Sequence, residues 1–293
     1  MSSLIGRTSA LLALTLSCAT QKIDVQAAEK HYDLAADYVG KRLTAAALRE
    51  CEEALKANPG YADAHFLLGA IKMGLAVQEL EVTGRTSCLK GPQAAFGKKE
   101  AEDKLREAEA HFRQASDLRT DYSEALDGMA VVALHFSDWD RAVALESSAL
   151  KNPVFAENHI ARSNLAWALL GKGDLVRAEI ELRSALVRAP DFCVGYYRLA
   201  ELLYKRGDVP AAAEVLGEIE KRRQVCRIQE AFHLLGRVAL AHKEPARALK
   251  ALEECQSLAP RSCLADECKQ LSITIPPQPK TPEGDGGEPN EEG

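Results

Sequence analysis

A chain of 293 residues with a formal net charge of −6 lacks the basic footprint that neutralising a phosphate backbone requires, which excludes nucleic acid as its main partner. Hydrophobic residues make up 46% and aromatic residues only 5%, a balance that suits closely packed helices and includes no run long and apolar enough to span a bilayer as a mature helix. With an N-terminal run and a polar tail set aside, about 240 residues remain, enough for one large domain or one extended array.

The chain begins MSSLIGRTSALLALTLSC, with a basic residue, Arg7, then an apolar run from Ala10 to Leu16, then Ser17-Cys18. That is the shape of a secretory signal. It resembles a bacterial lipoprotein signal, with Thr15 standing where a leucine is usual. The resemblance implies that Cys18 is lipidated and becomes the mature N-terminus, and Ala19 after it implies sorting to the outer membrane. Ordinary cleavage just after the alanine-rich run and an apolar cytosolic N-terminus are the other readings of the same residues. Several acyl chains, each contributing about 0.8 kcal/mol per buried methylene, would anchor such a protein firmly. Residues 19–27 read as a linker.

From Ala28 onward one register recurs. Its clearest unit is HIARSNLAWALLGKGDLVRAEIELRSALVRAPDF, His159 to Phe192. With its residues counted from one to thirty-four, small residues take places eight, twenty and twenty-seven (Ala166, Ala178, Ala185). Leu165, Leu169 and Leu182 take places seven, eleven and twenty-four. Gly173-Asp174 marks a turn between two helical patterns, and Pro190 closes the unit. Small residues let two antiparallel helices approach, and the larger ones fill the gaps. The same small places hold Ala35, Ala47 and Ala54 in unit one (28–61), and Gly69, Ala108 and Ala115 in unit two (62–122). They hold Ala130, Ala142 and Ala149 in unit three (123–158), Ala200 and Ala212 in unit five (193–228), and Gly236, Ala248 and Cys255 in unit six (229–262). The spacing resembles the tetratricopeptide repeat, whose period is about 34 residues. The fold expected is all-α: a right-handed superhelical solenoid of six helical hairpins, with 263–272 as a C-terminal capping helix.

Unit two carries an insertion at 76–98, expected as a loop on one face, either a contact surface or a tolerated, poorly ordered excursion. Residues 273–293 are Pro/Gly-rich and acidic, and read as a disordered tail.

No catalytic constellation emerges. The seven histidines form no HExxH, and there is no GxSxG, P-loop or Rossmann glycine pattern, so a non-enzymatic protein without cofactor or metal is expected. His31 and His65 share place four and read as packing residues. With Cys18 lipidated, seven cysteines remain: Cys51, Cys88, Cys193, Cys226, Cys255, Cys263 and Cys268. No CxxC points to zinc. In an oxidising envelope several can pair. Cys193 opens unit five and Cys226 closes it, so a hairpin brings both to one end. Cys255 and Cys268 flank the turn at Pro260, where a bridge would staple the cap, although Cys263 can partner Cys255 or Cys226 instead. Cys51, at place twenty-four, reads as a buried thiol.

In such an array the first helix of each unit lines the concave surface. Places two, five, nine, twelve and thirteen then give a groove of Tyr32, Val39, Phe66, Met73, Val131, Leu134, Trp167, Leu170, Tyr197 and Tyr204, interspersed with Asp127, Ser163, Glu201, His233 and Arg237. So many aromatic and aliphatic side chains suit capture of an apolar or amphipathic protein segment, with Trp167 the foremost anchor.

Six repeats behind a lipoprotein-like signal resemble the type IV pilus pilotins of the PilF/PilW/Tgl group. That resemblance implies a lipid-anchored protein at the periplasmic face of the outer membrane, held by Cys18, that binds secretin subunits and promotes their multimerisation. Another envelope scaffold lipoprotein, serving outer-membrane protein assembly or a cell-wall enzyme, fits the same architecture.

Overall fold

The structure, a computed structural model, describes residues 23–86 and 92–276. The lipidation of Cys18, the tip of the insertion with Cys88, and the acidic tail fall outside those residues. Among the described residues there are thirteen α-helices and no strand. They pair in sequence as α1 (Val25–Gly40) with α2 (Thr44–Ala57), α3 (Ala62–Thr86) with α4 (Pro92–Leu118), and α5 (Ser123–His135) with α6 (Trp139–Ala149). Next come α7 (Asn158–Gly171) with α8 (Leu175–Arg188), α9 (Cys193–Lys205) with α10 (Val209–Lys221), and α11 (Gln229–Ala241) with α12 (Pro245–Leu258). Helix α13 (Cys263–Ile273) then packs on α12 and α11. Six hairpins and a cap are the architecture the repeat spacing predicts.

Five of the six hairpins turn at place fifteen, where the backbone enters the left-handed region, and in unit two that place is Ala76, within α3. Units four and five use Gly173 (φ 81) and Gly207 (φ 87), the residue type that adopts this conformation without a Cβ penalty. Units one, three and six place Arg42, Ser137 and Lys243 there instead, at φ 58 to 61. In three units the next residue is an aspartate that starts the second helix. Asp138, Asp174 and Asp208 accept hydrogen bonds from the backbone N–H of Arg141, Arg177 and Ala211, satisfying donors that the first helical turn leaves unpaired.

The small places do what their size suggests. Ala35, Ala47, Ala54, Ala108, Ala115, Ala130, Ala142, Ala149, Ala166, Ala178, Ala185, Ala200, Ala212 and Ala248 are all fully buried. Around them the larger residues form a core whose largest cluster runs through units four to six and includes Leu165, Leu182, Leu216, Phe232, Leu235 and Leu252. A tight seam lies between units two and three. There the Phe112 ring, 1% exposed, fills the space left by two glycines. A Cβ at Gly128 would lie 2.7 Å from that ring and one at Gly69 2.9 Å from it.

The described parts of the insertion are helix rather than loop. Its described parts, 76–86 and 92–98, continue α3 and α4, which reach 25 and 27 residues where the other helices of the pairs have 11 to 16. The physical reason is register. About three extra turns on each helix, at 3.6 residues per turn, leave the facing sides of the hairpin in phase. Ala76, Ala101 and Leu105 are accordingly buried with Val132 of α5. The lengthened hairpin also reaches across the array: α3 touches α13, and Val77, Leu80 and Glu81 share a cavity of about 700 Å³ with Ile228, Leu258 and Leu264.

Two disulfides close the C-terminal third. Cys193–Cys226 ties the start of α9 to the segment after α10, with a Cα–Cα distance of 5.4 Å. Cys255–Cys268 joins α12 to the cap, with a Cα–Cα distance of 6.4 Å. Cys263 is disulfide-bonded as well, and since Cys255 and Cys226 are engaged elsewhere, neither is its partner. Cys51 is free and buried, and burial raises its thiol to about 12, so it is an inert core thiol.

The seam at Phe112 yields a direct test. Gly128→Ala adds about 1 kcal/mol of helix propensity but drives a methyl into the Phe112 ring, and overpacking of this kind costs about 1–3 kcal/mol. Urea unfolding is expected to show a net loss of stability, and a stabilised variant would contradict the packing described.

Candidate protein-binding groove

The direction in which the array bends follows from which helices touch. Among the described residues the first helices contact one another in succession: α1 with α3, α3 with α5, α5 with α7, α7 with α9, and α9 with α11. The second helices of successive hairpins do not. Helices on the inside of a bend are the closer spaced, so the first helices form the inner wall. Their exposed side chains are the candidate site.

Places five, nine and twelve form rows along this wall. Trp167, on α7, is 44% exposed. Its ring carries the guanidinium of Arg198, from α9, at 4.6 Å, so one face is covered by a cation and the rest remains open. Tyr204 is half-buried under Arg237, which sits 5.2 Å from its ring. Tyr197 is half-buried against the main core cluster, and burial raises its phenol. Leu170 also packs partly on that cluster, while Val131 is half-buried. At the other end Tyr32 meets Tyr61 edge-on at 5.4 Å, and Phe66 lies 5.1 Å from Tyr122 and 5.8 Å from Phe112. Val39 is exposed, and Met73 is half-buried between two small core clusters.

Leu134 departs from the groove expected from the sequence. It is 3% exposed and packs with Ala133, Ala142 and Ala168. The small Ala168 lets α7 come close enough to α5 to seal the leucine between units. Place twelve faces the groove only where the following unit leaves it room.

The centre of the wall is polar, and half of it, Asn164 and Arg198, comes from place six, which the sequence template omits. Arg198 donates to Ser163 Oγ at 2.8 Å and to Asn164 Oδ1 at 3.0 Å. Asn164 in turn donates through Nδ2 to Asp127 Oδ1 at 3.1 Å. A continuous chain, Asp127 to Asn164 to Arg198 to Trp167, therefore crosses units three, four and five. Burial lowers Arg198 to about 10. Behind Asp127 lies Glu146 of α6, 0% exposed, with no hydrogen-bond donor to either carboxylate oxygen. Burial, and next the neighbouring Asp127, push its carboxyl up to about 11, which favours the uncharged acid beside Asp127. Asp127 is itself raised by burial. The periodic pattern did not reveal Glu146, although a glutamate among the small residues Ala142 and Ala149 was the available signal.

The histidines that the sequence reads as packing residues lie between helices. His31 pairs with Glu50 at 2.6 Å, and His65 Nε2 lies 3.0 Å from the Pro59 carbonyl while its ring stacks on His111. Burial, then His65, lowers His111 to about 4. Among the described residues no group of three metal-ligating side chains converges, and no helix is long and apolar enough to cross a membrane.

The comparisons with known proteins agree with this architecture. The tetratricopeptide repeat model matches residues 138–191 and 197–262. No curated protein matches the chain. Among solved structures, PilF of Pseudomonas aeruginosa superposes with a TM-score of 0.64 at 16% identity, over 84% of this chain and 97% of that one. PilW, a type IV pilus biogenesis factor, gives 0.65 at 20% identity over 83% and 98%. A tetratricopeptide repeat protein from Parabacteroides merdae gives 0.51 at 17% identity over 85% and 99%. At these identities the likeness is one of fold.

The buried carboxyl sets a pH dependence. A carboxyl whose folded pKa lies above its unfolded value of about 4.3 contributes fully below that value, and its contribution falls as pH rises toward the folded pKa. Glu146→Gln keeps the shape and the donor but cannot ionise. The variant is expected to match the parent near pH 4 and to exceed it at pH 8 by on the order of 1–3 kcal/mol. Equal thermal stability at pH 8 would contradict a neutral Glu146. These observations describe a solenoid of helical hairpins, similar in fold to tetratricopeptide-repeat proteins, whose inner wall offers aromatic faces at both ends and a hydrogen-bonded polar centre between them.

Proposed function

We propose that this scaffold is a pilotin of the type IV pilus: a non-enzymatic lipoprotein, anchored through Cys18 at the periplasmic face of the outer membrane, that binds secretin subunits and promotes their multimerisation. The observation that carries this reading is the pairing of a lipoprotein-like N-terminal sequence with a six-hairpin array that spans nearly the full length of PilF and PilW. The inner wall supplies the chemistry. Half-exposed Trp167, Tyr197 and Tyr204 offer apolar area at low entropic cost, and the Arg198 guanidinium, anchored on Ser163 and Asn164, holds the Trp167 ring in place. The two disulfides suit an oxidising compartment such as the periplasm. The lipid places the groove at the membrane where a pore-forming partner must insert.

The experiment combines a deletion strain with one point variant. Deletion is expected to abolish the secretin multimers that survive detergent, and the wild-type gene to restore them. Trp167→Ala should weaken binding of purified secretin by on the order of 2 kcal/mol, about thirtyfold, with helix content unchanged. Normal multimers in the deletion strain would overturn the pilotin reading, and unchanged affinity in the variant would remove Trp167 from the groove.

A further inference from the structure

At the end of the inner wall formed by units one to three lies a pocket of about 380 Å³, lined by Tyr32, Phe66, Arg119, Asp121, Tyr122 and Glu124. Its chemistry differs from the rest of the wall. The floor is an ion pair already complete: Asp63 Oδ1 accepts from Arg119 Nη2 and from the Tyr122 hydroxyl, both at 2.7 Å. The Arg119 guanidinium lies flat over the Tyr122 ring, 3.4 Å from its centroid. This corner has thus taken up one cation from the chain itself, stacking it on an aromatic face and neutralising it with a carboxylate.

The walls have room for a second. Tyr32 and Phe66 supply ring surface that no basic side chain covers among the described residues. Asp121 and Glu124 line the same pocket, and neither is ion-paired among the described residues, so with Asp63 offset by Arg119 the pocket carries an excess of negative charge.

We propose that this pocket is the seat for one basic side chain, a lysine or an arginine, of the polypeptide segment that the groove holds. The inference rests on the reading of the inner wall as a protein-binding groove and specifies what one position of the partner must be. Aromatic faces attract a cation through their quadrupole, and the methylene stem of a lysine or arginine packs along the rings while its charged end reaches the rim carboxylates. An acidic side chain would meet like charge. A purely apolar one would cover Asp121 and Glu124 without offering a counter-charge, which is the costly way to desolvate a carboxylate.

The test uses the purified protein and three capped tripeptides: acetyl-Gly-Arg-Gly-amide, the same peptide with citrulline as the neutral isostere of arginine, and the same peptide with glutamate. Binding is read from the NMR signals of the Tyr32 and Phe66 rings during titration. The arginine peptide is expected to shift both rings saturably, the citrulline peptide to bind about fivefold or more weakly, and the glutamate peptide to leave them unmoved. Asp121→Asn combined with Glu124→Gln should weaken the arginine peptide about threefold to tenfold, with the circular dichroism spectrum unchanged. Equal response to arginine and citrulline, or no movement at either ring, overturns the proposal. Because the wild-type titration alone decides, an unstable double variant does not rescue it. The outcome is also separable from the groove reading: Trp167→Ala can fail to affect the partner while the arginine peptide still moves Tyr32, and the reverse combination removes the pocket alone.

Discussion

Two helices can lie close enough to seal their seam only where one of them presents almost no side chain. In this chain that condition is met by alanine or glycine at all three places in four of the six units and at two places in the other two, all of them buried. Each hairpin alone exposes an apolar side, and stacking the hairpins buries it, so stability accumulates between neighbours rather than around one centre. The close approach also sets the spacing of the first helices. They touch in succession while the second helices do not, and the array bends with the first helices inside. Everything that the inner wall can do follows from that asymmetry.

The wall is then divided by chemistry. Its centre holds a hydrogen-bonded chain from Asp127 to Arg198, backed by a carboxyl that burial keeps protonated. A polar network inside a fold costs desolvation, and an uncharged Glu146 spares the network a second buried negative charge beside Asp127. The consequence is rigidity: Trp167 is held by a guanidinium that is itself held by two side chains of the preceding unit. A fixed aromatic ring loses little entropy when a partner covers it. The cap pinned by Cys255–Cys268 and the contact of the lengthened second hairpin with α13 restrict the opening of the array at its far end.

The hairpins were legible in the sequence because their signal is local: a small residue every few turns, a glycine or serine at the bend, an aspartate after it. The same logic made Cys193 with Cys226 and Cys255 with Cys268 candidate pairs but left Cys263 as a competing partner, and the connectivity is visible only in the folded chain. What was not legible depends on neighbours distant in the chain. Leu134 looked like a groove residue until Ala168 of the next unit closed over it. Arg198 and Asn164, at place six, join the polar centre only through hydrogen bonds between successive units. The insertion read as a loop because its length, about two sets of three helical turns, was taken as an interruption of the register rather than a multiple of it. Glu146 is the clearest case. A lone glutamate on a second helix reads as solvated, and nothing short of the assembled core puts Asp127 beside it.

The central claim is that the partner lies along the inner wall rather than the outer one, which has apolar side chains of its own: Val176, Ile180 and Val187 of α8 are 71%, 57% and 82% exposed. A photo-crosslinking amino acid placed in turn at positions 167 and 180, in intact cells, separates the two surfaces. The account predicts an adduct with the secretin from position 167 and none from position 180. An adduct from position 180 alone would contradict it.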